Sequence, residues 1–505
     1  MAGLKLSNTV AVVGAGTMGA GIAQLAASAG HRTLLFDTNR EAVGRAIEHV
    51  EAGLAKLIIR GKMTAEQRTT IIGNIHPAGE LTDLAEASLV VEAIIEDLAT
   101  KRSLFGQLEQ ICSPETILAT NTSSLSITAI AAHLSRPERL VGMHFFNPAP
   151  IMKLVEVVRG ITTEPDVAQT VCDTASAWGK HPVLAKSTPG FIVNRVARPF
   201  YAEGLRALEE GAADCATLDA IMRESGGFRM GPFELMDLIG HDVNFAVTRS
   251  VFSAFYNDPR FLPSLIQREL VEGGFLGRKS GRGFYDYRED ADRPEPVTAL
   301  DRPHPRRVRI SGSLGVADAL IPMMERAGLE VVREVTGEGV MIVDGATIGL
   351  TDGRSATRRA LDSGIPDTLV FDLALDYEKS GRIALAPADS ASEEALGSTI
   401  GLFQSIGKEV SVIDDLPGLL VMRTVATLAN EAADAVLHQV CDPAGADIAM
   451  CSGVNYPKGP LTWADEIGPG CILEVLEHLQ QAYGLDRYRP SRLLRRTVEN
   501  GSSFR

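Results

Sequence analysis

The chain has little that could cross-link it or anchor it. Its 505 residues include six cysteines, Cys112, Cys172, Cys215, Cys441, Cys451 and Cys471, with no C-x-x-C pair among them. That scatter argues against a disulfide framework and against a zinc site, and leaves reduced, mostly buried thiols. No apolar run approaches the ~20 residues that a bilayer requires, so no membrane partner is expected. Positive charge is also in short supply: 49 Lys and Arg stand against 64 Asp and Glu, a net charge of −15. A nucleic-acid binder needs a basic footprint, so nucleic acid is not expected as a partner and any polyanionic ligand must be held by local basic groups. The one dense basic run, residues 487–496, carries Leu493 and Leu494 at helical positions and reads as a packed helix with solvated arginines. At the start of the chain a strand pattern begins by residue 9, which leaves no room for a signal or transit peptide and points to the cytoplasm.

What is present is enough apolar residue for full cores: 45% of the chain. At this length roughly three or four domains are expected. Between residues 9 and 158, short β-branched runs alternate with longer helical stretches. The runs 9–13, 32–37, 89–93, 116–120, 140–146 and 154–158 read as strands, an alternation that predicts a parallel sheet covered by helices. After residue 186 the texture becomes helical, as in 192–208 and 218–222, up to about residue 287. Residues 288–306 are charged and proline-rich, the composition of a linker.

A repeat dominates the second half. Pro189-Gly190, Arg195, Glu203, Asp219, Gly231-Pro232, Asp237 and Gly240 recur as Pro417-Gly418, Arg423, Glu431, Asp447, Gly459-Pro460, Asp465 and Gly468, at one offset (417 − 189 = 228 and 468 − 240 = 228). Gly179-Lys180 returns as Gly407-Lys408 at the same offset, and with a one-residue slip Arg260, Pro263-Ser264 and Val271-Glu272 answer Arg487, Pro490-Ser491 and Val498-Glu499. Two copies of one helical domain are therefore expected, packing on a shared face. Between them, residues 307–400 read as a weaker α/β unit whose Gly312-Ser-Leu-Gly315 turn has the wrong spacing for a dinucleotide. The resulting division is 1–186, a Rossmann-type α/β domain; 187–287, an all-α domain; 288–306, a linker; 307–400, a small degenerate α/β domain; and 401–505, the second helical copy.

Gly14-Ala15-Gly16-Thr17-Met18-Gly19 follows a strand and opens a helix, and a second strand ends at Asp37. Alone, G-x-G-x-x-G is weak; here strand, turn, small-residue helix, second strand and acid all stand in order. The glycines permit the tight turn and let the backbone approach a pyrophosphate at a helix N-terminus. Asp37 would accept from the ribose hydroxyls and repel a 2′-phosphate, which favours NAD over NADP. The bland alternative is a structural glycine turn with Asp37 as a helix cap.

Two further runs place ionisable groups inside apolar strands: Val141-Gly-Met-His144-Phe-Phe-Asn147-Pro-Ala-Pro, and Lys153-Leu-Val-Glu156-Val-Val. A buried carboxylate needs a charged or donating partner, and the imidazole is the obvious one. Histidine titrates near neutral pH and can take a hydroxyl proton, with Glu156 orienting the ring. A lone histidine is more often an ordinary core residue, and Asn121-Thr-Ser123-Ser can equally be a cap for the segment from Ile127. The functional reading of that run is a hydroxyl at the carboxyl end of a parallel strand, where ligands of such sheets bind.

Taken in order, Gly14-Ala-Gly-Thr-Met-Gly19, Asn121-Thr-Ser-Ser, Gly142-Met-His-Phe-Phe-Asn-Pro-Ala-Pro, Lys153-Leu-Val-Glu-Val-Val, Thr188-Pro-Gly-Phe-Ile-Val-Asn-Arg, Gly231-Pro-Phe-Glu-Leu and Leu276-Gly-Arg-Lys-Ser-Gly-Arg-Gly-Phe-Tyr closely resemble the 3-hydroxyacyl-CoA dehydrogenase family over residues 9–287. The resemblance implies oxidation of an L-3-hydroxyacyl-CoA with NAD, and helical domains of the 6-phosphogluconate-dehydrogenase-like type. It implies that His144 is the acid/base and Glu156 its partner, that Ser123 and Asn194 bond the substrate oxygen, and that Glu96, Lys101, Asn147 and Lys279 lie near the cofactor. Lys56 and Arg60 fall where relatives contact the CoA arm, although Gly53 replaces a frequent serine. Tandem architecture of this length looks most like the enzymes for 3-hydroxyadipyl-CoA and 3-hydroxybutyryl-CoA, including those of phenylacetate catabolism. The second copy has Met422 at the place of Asn194 and is expected to lack a site. The two copies are expected to pair within the chain, an assembly of several chains being compatible with this, and no fused hydratase domain is expected. Alternatives that stay open are a dehydrogenase of free hydroxy or sugar acids on the same scaffold, and a crystallin-like NAD-binding structural protein, against which the intact Ser123, His144, Glu156 and Asn194 set counts.

Overall fold

The computed structural model describes residues 3–505, which divide into two compact units: residues 3–195 with 438–454, and residues 196–437 with 455–505. No helix among the described residues is long and apolar enough to cross a membrane.

The first unit is built on eight strands: β1 (Val10–Val13), β2 (Thr33–Phe36), β3 (Ile75–Pro77), β4 (Leu89–Glu92), β5 (Ile117–Thr120), β6 (Leu140–Phe145), β7 (Leu154–Arg159) and β8 (His181–Lys186). They lie in the order β3-β2-β1-β4-β5-β6-β7-β8, so the chain reverses its direction of advance between β1 and β4. In open α/β sheets that reversal leaves a crevice at the strand ends. β1, β2, β4 and β5 are buried at every position, as expected for strands covered on both faces. One departure from the expected parallel sheet matters for the site: β6 and β7 run antiparallel. The link between them is too short for the crossover that a parallel pair needs. β8 ends the sheet, and its exposed, proline-bearing sequence gave no strand signal.

Residues 438–454, which belong by sequence to the second helical copy, sit in this first unit. Their helix, Pro443–Val454, lies so close to β7 and β8 that a Cβ on Gly445 would stand 2.8 Å from Val183 and one on Gly453 2.5 Å from Leu154. The backbone is tied in as well, Lys186 N–H donating to Val440 O at 2.8 Å. The 401–505 block expected from sequence is thus shared between the two units.

The second unit carries the greater part of both helical copies and a second sheet. The repeat is visible in the backbone: Gly190 and Phe191 have φ of 74° and 47°, and Gly418 and Leu419 have 76° and 48°. The helix expected over 192–208 is broken into Val193–Val196 and Arg198–Glu209, because Pro199 has no N–H to continue it. Within this unit Arg423 is fully buried and donates to Glu203 at 2.5 Å and to the Tyr488 hydroxyl at 2.7 Å, joining helices of the two copies. The basic run also differs from expectation at one position, Arg487, which is 7% exposed.

The second sheet consists of β9 (Arg307–Ser311), β10 (Glu330–Glu334), β11 (Val340–Val343), β12 (Ala346–Leu350), β13 (Thr368–Phe371), β14 (Arg382–Pro387) and β15 (Glu409–Val412), in the order β10-β9-β11-β12-β13-β14-β15. It runs past the expected limit at residue 400. β12–β13 and β14–β15 are parallel and β13–β14 antiparallel, the same pattern as β5–β6, β7–β8 and β6–β7. The degenerate domain therefore repeats the site-bearing half of the first sheet. Residues 288–306 have no regular structure, but hydrogen bonds from Val297 to Thr217 and from Ala299 to Val410 hold them to the second unit.

Candidate active site

The carboxyl ends of β1, β4, β5 and β6 bring the sequence motifs together in the first unit. At β1, Gly14 adopts φ of 107°, and a Cβ on Gly19 would lie 1.7 Å from Gly14 O. These two glycines are demanded by the turn itself. Gly16 is different: nothing lies within 4 Å of where its Cβ would be, so its absence of side chain keeps open space in front of the helix Thr17–Ser28. No side chain caps that helix, which leaves its first N–H groups for an anion. Thr17 is exposed and Met18 half-buried at this opening. Asp37 accepts from Ala15 N–H at 2.8 Å and from Asn39 N–H at 2.9 Å, so it also fixes the glycine turn and the start of the next helix. A glycine cradle, an uncapped helix and an acid at the end of β2 fit a dinucleotide with free ribose hydroxyls.

Opposite residues on β6 and β7 include His144 and Glu156. Their side chains meet through Nδ1 and Oε2 at 2.7 Å, with His144 6% exposed and Glu156 fully buried. A carboxylate can only accept, so Nδ1 carries the proton and Nε2 is left as the basic nitrogen. The other oxygen, Oε1, accepts from Ile192 N–H at 3.0 Å and Val193 N–H at 2.9 Å. Three donors thus compensate a buried negative charge. Phe146 and Phe191 flank the imidazole with ring centroids at 4.5 and 5.8 Å, lowering the polarity around it.

Ser123 and Asn194 are brought side by side, Asn194 Nδ2 pointing to Ser123 O at 3.5 Å. Ser123 is held by Glu96, whose Oε1 accepts from the Thr122 hydroxyl at 2.6 Å and from the N–H groups of Ser123 and Ser124 at 2.9 and 3.1 Å. Partial burial works against the Glu96 charge, but Thr122, the Lys101 ammonium and the Ser123 N–H outweigh it and keep its carboxyl below the usual range. Lys101 itself is 1% exposed, bonded to Glu92 at 2.5 Å and 3.4 Å from Glu96. It acts here as an internal counter-ion that anchors Glu96 and, through Glu96, the Ser123 loop.

Asn147 is exposed at the end of β6. Lys56 and Arg60 are exposed on and just after the helix Arg40–Ile59. Lys279 lies in the second unit, paired with Asp242.

Three contributors were given no role at the site by sequence. Asn121 Oδ1 accepts from Phe145 N–H at 2.8 Å, tying the end of β5 to the residue after His144. Glu92 closes β4 and accepts from Thr120 and Lys101; an acid ending an apolar strand was the available signal. Lys180 is buried and donates to Ala149 O and Met152 O at 2.6 and 2.7 Å, pinning the loop after His144, and burial brings its amine down to about 8. Its recurrence as Lys408 was visible in the repeat.

The counterpart of the pair in the second half is altered. The offset that relates the helical copies carries His144 to Asp372 and Glu156 to Ala384, and Asp372 N–H donates to Ala384 O across β13 and β14. The Asp372 carboxylate accepts from Leu420, Val421 and Met422 N–H at 2.9, 2.7 and 3.0 Å. With no imidazole and with Met422 for Asn194, this half holds none of the pair's chemistry.

Comparison with known proteins follows the same division. The NAD binding domain of 3-hydroxyacyl-CoA dehydrogenase matches residues 9–188, and the C-terminal domain of that family matches twice, at 190–287 and 418–505. Residues 348–417 match the 3-hydroxybutyryl-CoA dehydrogenase reduced Rossmann-fold domain. The chain is 47% identical over 487 residues to a 3-hydroxyadipyl-CoA dehydrogenase of Escherichia coli (strain K12), covering 96% of each chain. It is 38% identical over 278 residues to a 3-hydroxybutyryl-CoA dehydrogenase of Clostridioides difficile, covering 55% of this chain and 99% of that one. Among solved structures, a 3-hydroxybutyryl-CoA dehydrogenase from Escherichia coli K12 superposes with a TM-score of 0.90 at 46% identity, covering 99% of this chain and 100% of that one.

Proposed function

The chain belongs to the 3-hydroxyacyl-CoA dehydrogenase family and uses NAD to oxidise 3-hydroxyacyl-CoA, and on that premise we propose the residues that carry the reaction and the class of acyl group it takes. The observation that carries the assignment is the buried His144–Glu156 pair with its free Nε2. In this reading the substrate's C3 hydroxyl approaches Nε2 of His144, with Ser123 and Asn194 holding the oxygen. Loss of the hydroxyl proton to Nε2 makes the ring an imidazolium, which Glu156 stabilises through Nδ1–H while its other oxygen stays bound to the 192 and 193 N–H groups. NAD, when bound, supplies the hydride acceptor. Residues 14–19 and Asp37 would hold its pyrophosphate and adenosine ribose. Glu96 and Lys101 keep the Ser123 loop in place. Asn147 and Lys279 remain assigned to the cofactor's surroundings, and Lys56 and Arg60 to the CoA arm. The domains divide as a dinucleotide-binding unit, two helical copies and a degenerate sheet domain, with one active site per chain, working in the cytoplasm.

For the acyl group we propose a short chain, either a hydroxybutyryl or a hydroxyadipyl thioester, on the strength of the relatives' specificities. NADH formation measured over a panel of 3-hydroxyacyl-CoA chain lengths, with the dicarboxylic thioester and free 3-hydroxybutyrate included, tests this. The expected ranking puts hydroxybutyryl or hydroxyadipyl thioester first and the free acid near background. A preference for long chains overturns the short-chain assignment. Comparable turnover of the free acid overturns the role given to CoA.

A further inference from the structure

The second unit contains a cavity of about 170 Å³ between the helix Arg198–Glu209 and the segment around residues 260–265, lined by Arg198, Arg206, Arg260 and Arg487 and by one acid, Glu209. Three of the four guanidiniums are already matched. Arg260 bonds to Asp258, Glu431 and Asp434, Arg487 lies 3.6 Å from Glu203, and Arg206 covers the rings of Tyr483 and Tyr488. Glu209 is occupied too, accepting from the Ser264 hydroxyl at 2.6 Å.

Arg198 is different. It is 6% exposed, and its contacts are one bond to the Thr248 hydroxyl at 3.1 Å and the face of Tyr201 at 4.9 Å. Its Nε is buried with no partner. The hydroxyl of Tyr456, a neighbour that acts electrostatically on Arg198, is likewise buried and unpartnered. A buried guanidinium with an orphan N–H and no carboxylate is expensive, because desolvation is not offset.

We propose that this cavity is a binding site for the carboxylate of a short aliphatic acid, with Arg198 as its principal contact. A carboxylate accepts charged hydrogen bonds from a guanidinium, and Arg198 lines the cavity with no acid of its own paired to it. The walls made by Leu205, Phe261, Leu262 and Leu265 suit an alkyl chain of a few carbons better than the hydrated oxygens of a phosphate. Occupancy of the site would stabilise the helical copies by mass action.

The test is isothermal titration of the full-length protein with sodium adipate and sodium butyrate at constant ionic strength in chloride, with adipamide and inorganic phosphate as controls. Saturable binding of a carboxylate, with adipamide silent and phosphate weaker, is the expected result. Arg198→Met should weaken it at least about tenfold, the scale of a lost charged hydrogen bond. Thr248→Val, which frees the guanidinium without altering volume, should weaken it severalfold and serves where Arg198→Met fails to fold. Absence of saturable carboxylate binding, binding unchanged in both variants, or phosphate binding more tightly would each overturn the proposal. Should hydroxyadipyl-CoA lose kcat/KM in Arg198→Met while hydroxybutyryl-CoA does not and free adipate never binds, the carboxylate is the substrate's own and the free-acid site is refuted.

Discussion

Replacing Glu156 with glutamine tests the pair with almost no change of shape. In the native site Oε2 faces His144 and Oε1 faces the N–H groups of Ile192 and Val193. Glutamine has one oxygen and one NH2. Keeping the two backbone donors satisfied turns the oxygen toward residues 192 and 193 and the NH2 toward Nδ1. Nδ1 must then accept, the ring proton moves to Nε2, and the nitrogen that should take the hydroxyl proton is already protonated. The alternative rotamer leaves two buried N–H groups facing an NH2, at about 1–3 kcal/mol each. The wrong tautomer is therefore the favoured outcome, and carboxylate-to-amide changes of this kind behind a catalytic histidine cost about 10⁴ in kcat. Stability should fall by only about 1–3 kcal/mol, since one charged hydrogen bond is exchanged for a neutral one. The assay is initial-rate NADH formation, run beside urea denaturation and NADH titration so that folding and cofactor binding are controlled. A folded, NADH-binding Glu156→Gln enzyme with kcat within tenfold of the native value would refute the tautomer argument and with it the role of the pair.

Three further outcomes follow from the same geometry. His144→Gln should bind NADH as the native enzyme does while kcat drops at least about 100-fold, the usual scale of general acid–base catalysis; unchanged turnover would remove the histidine from the chemistry. Asp37→Ala should raise the KM for NAD and narrow its advantage over NADP by about tenfold or more, one charged hydrogen bond to ribose being lost, and a variant as strictly NAD-specific as the native enzyme would restrict Asp37 to its bonds with Ala15 and Asn39. Asp372→Asn should leave kcat for the thioester within severalfold but lower the denaturation free energy by about 1–3 kcal/mol, because the amide keeps a single oxygen for the three backbone donors of the second helical copy that two carboxylate oxygens serve; an unchanged denaturation midpoint would contradict that anchoring.

The glycine turn was legible because its demands are local. Strand, turn, helix and acid follow one another in the chain, and each glycine answers a steric condition a few residues away. His144 and Glu156 were legible as a pair only through their apolar settings and their ordered neighbours, since the antiparallel β6–β7 register that joins them is a tertiary fact. Lys101 marks the limit. A lysine on a helix ordinarily lies in water, and nothing within its own turn announces that Glu92, at the end of a buried strand, requires it. Placement of residues 438–454 was hidden for a related reason: the repeat shows that the Pro443–Val454 helix matches the Cys215–Glu224 helix, but sequence similarity is silent on which sheet a helix covers.

The altered second half separates what the fold needs from what the chemistry needs. In both halves a turn with positive φ at Gly190-Phe191 or Gly418-Leu419 starts a helix, and its first N–H groups are buried. Buried backbone donors must be satisfied, so each half keeps a carboxylate there. In the first half that carboxylate is Glu156 on β7, reaching the donors with one oxygen and His144 with the other. In the second it stands on the partner strand, as Asp372 in the place of the histidine, and Ala384 occupies the place of the glutamate. The anchoring survives the exchange because either strand can present an oxygen to the same two N–H groups. The proton acceptor does not, because a single carboxylate turned wholly to the backbone has no ring to orient. Glu156 is accordingly a group with two duties, of which the second copy retains one.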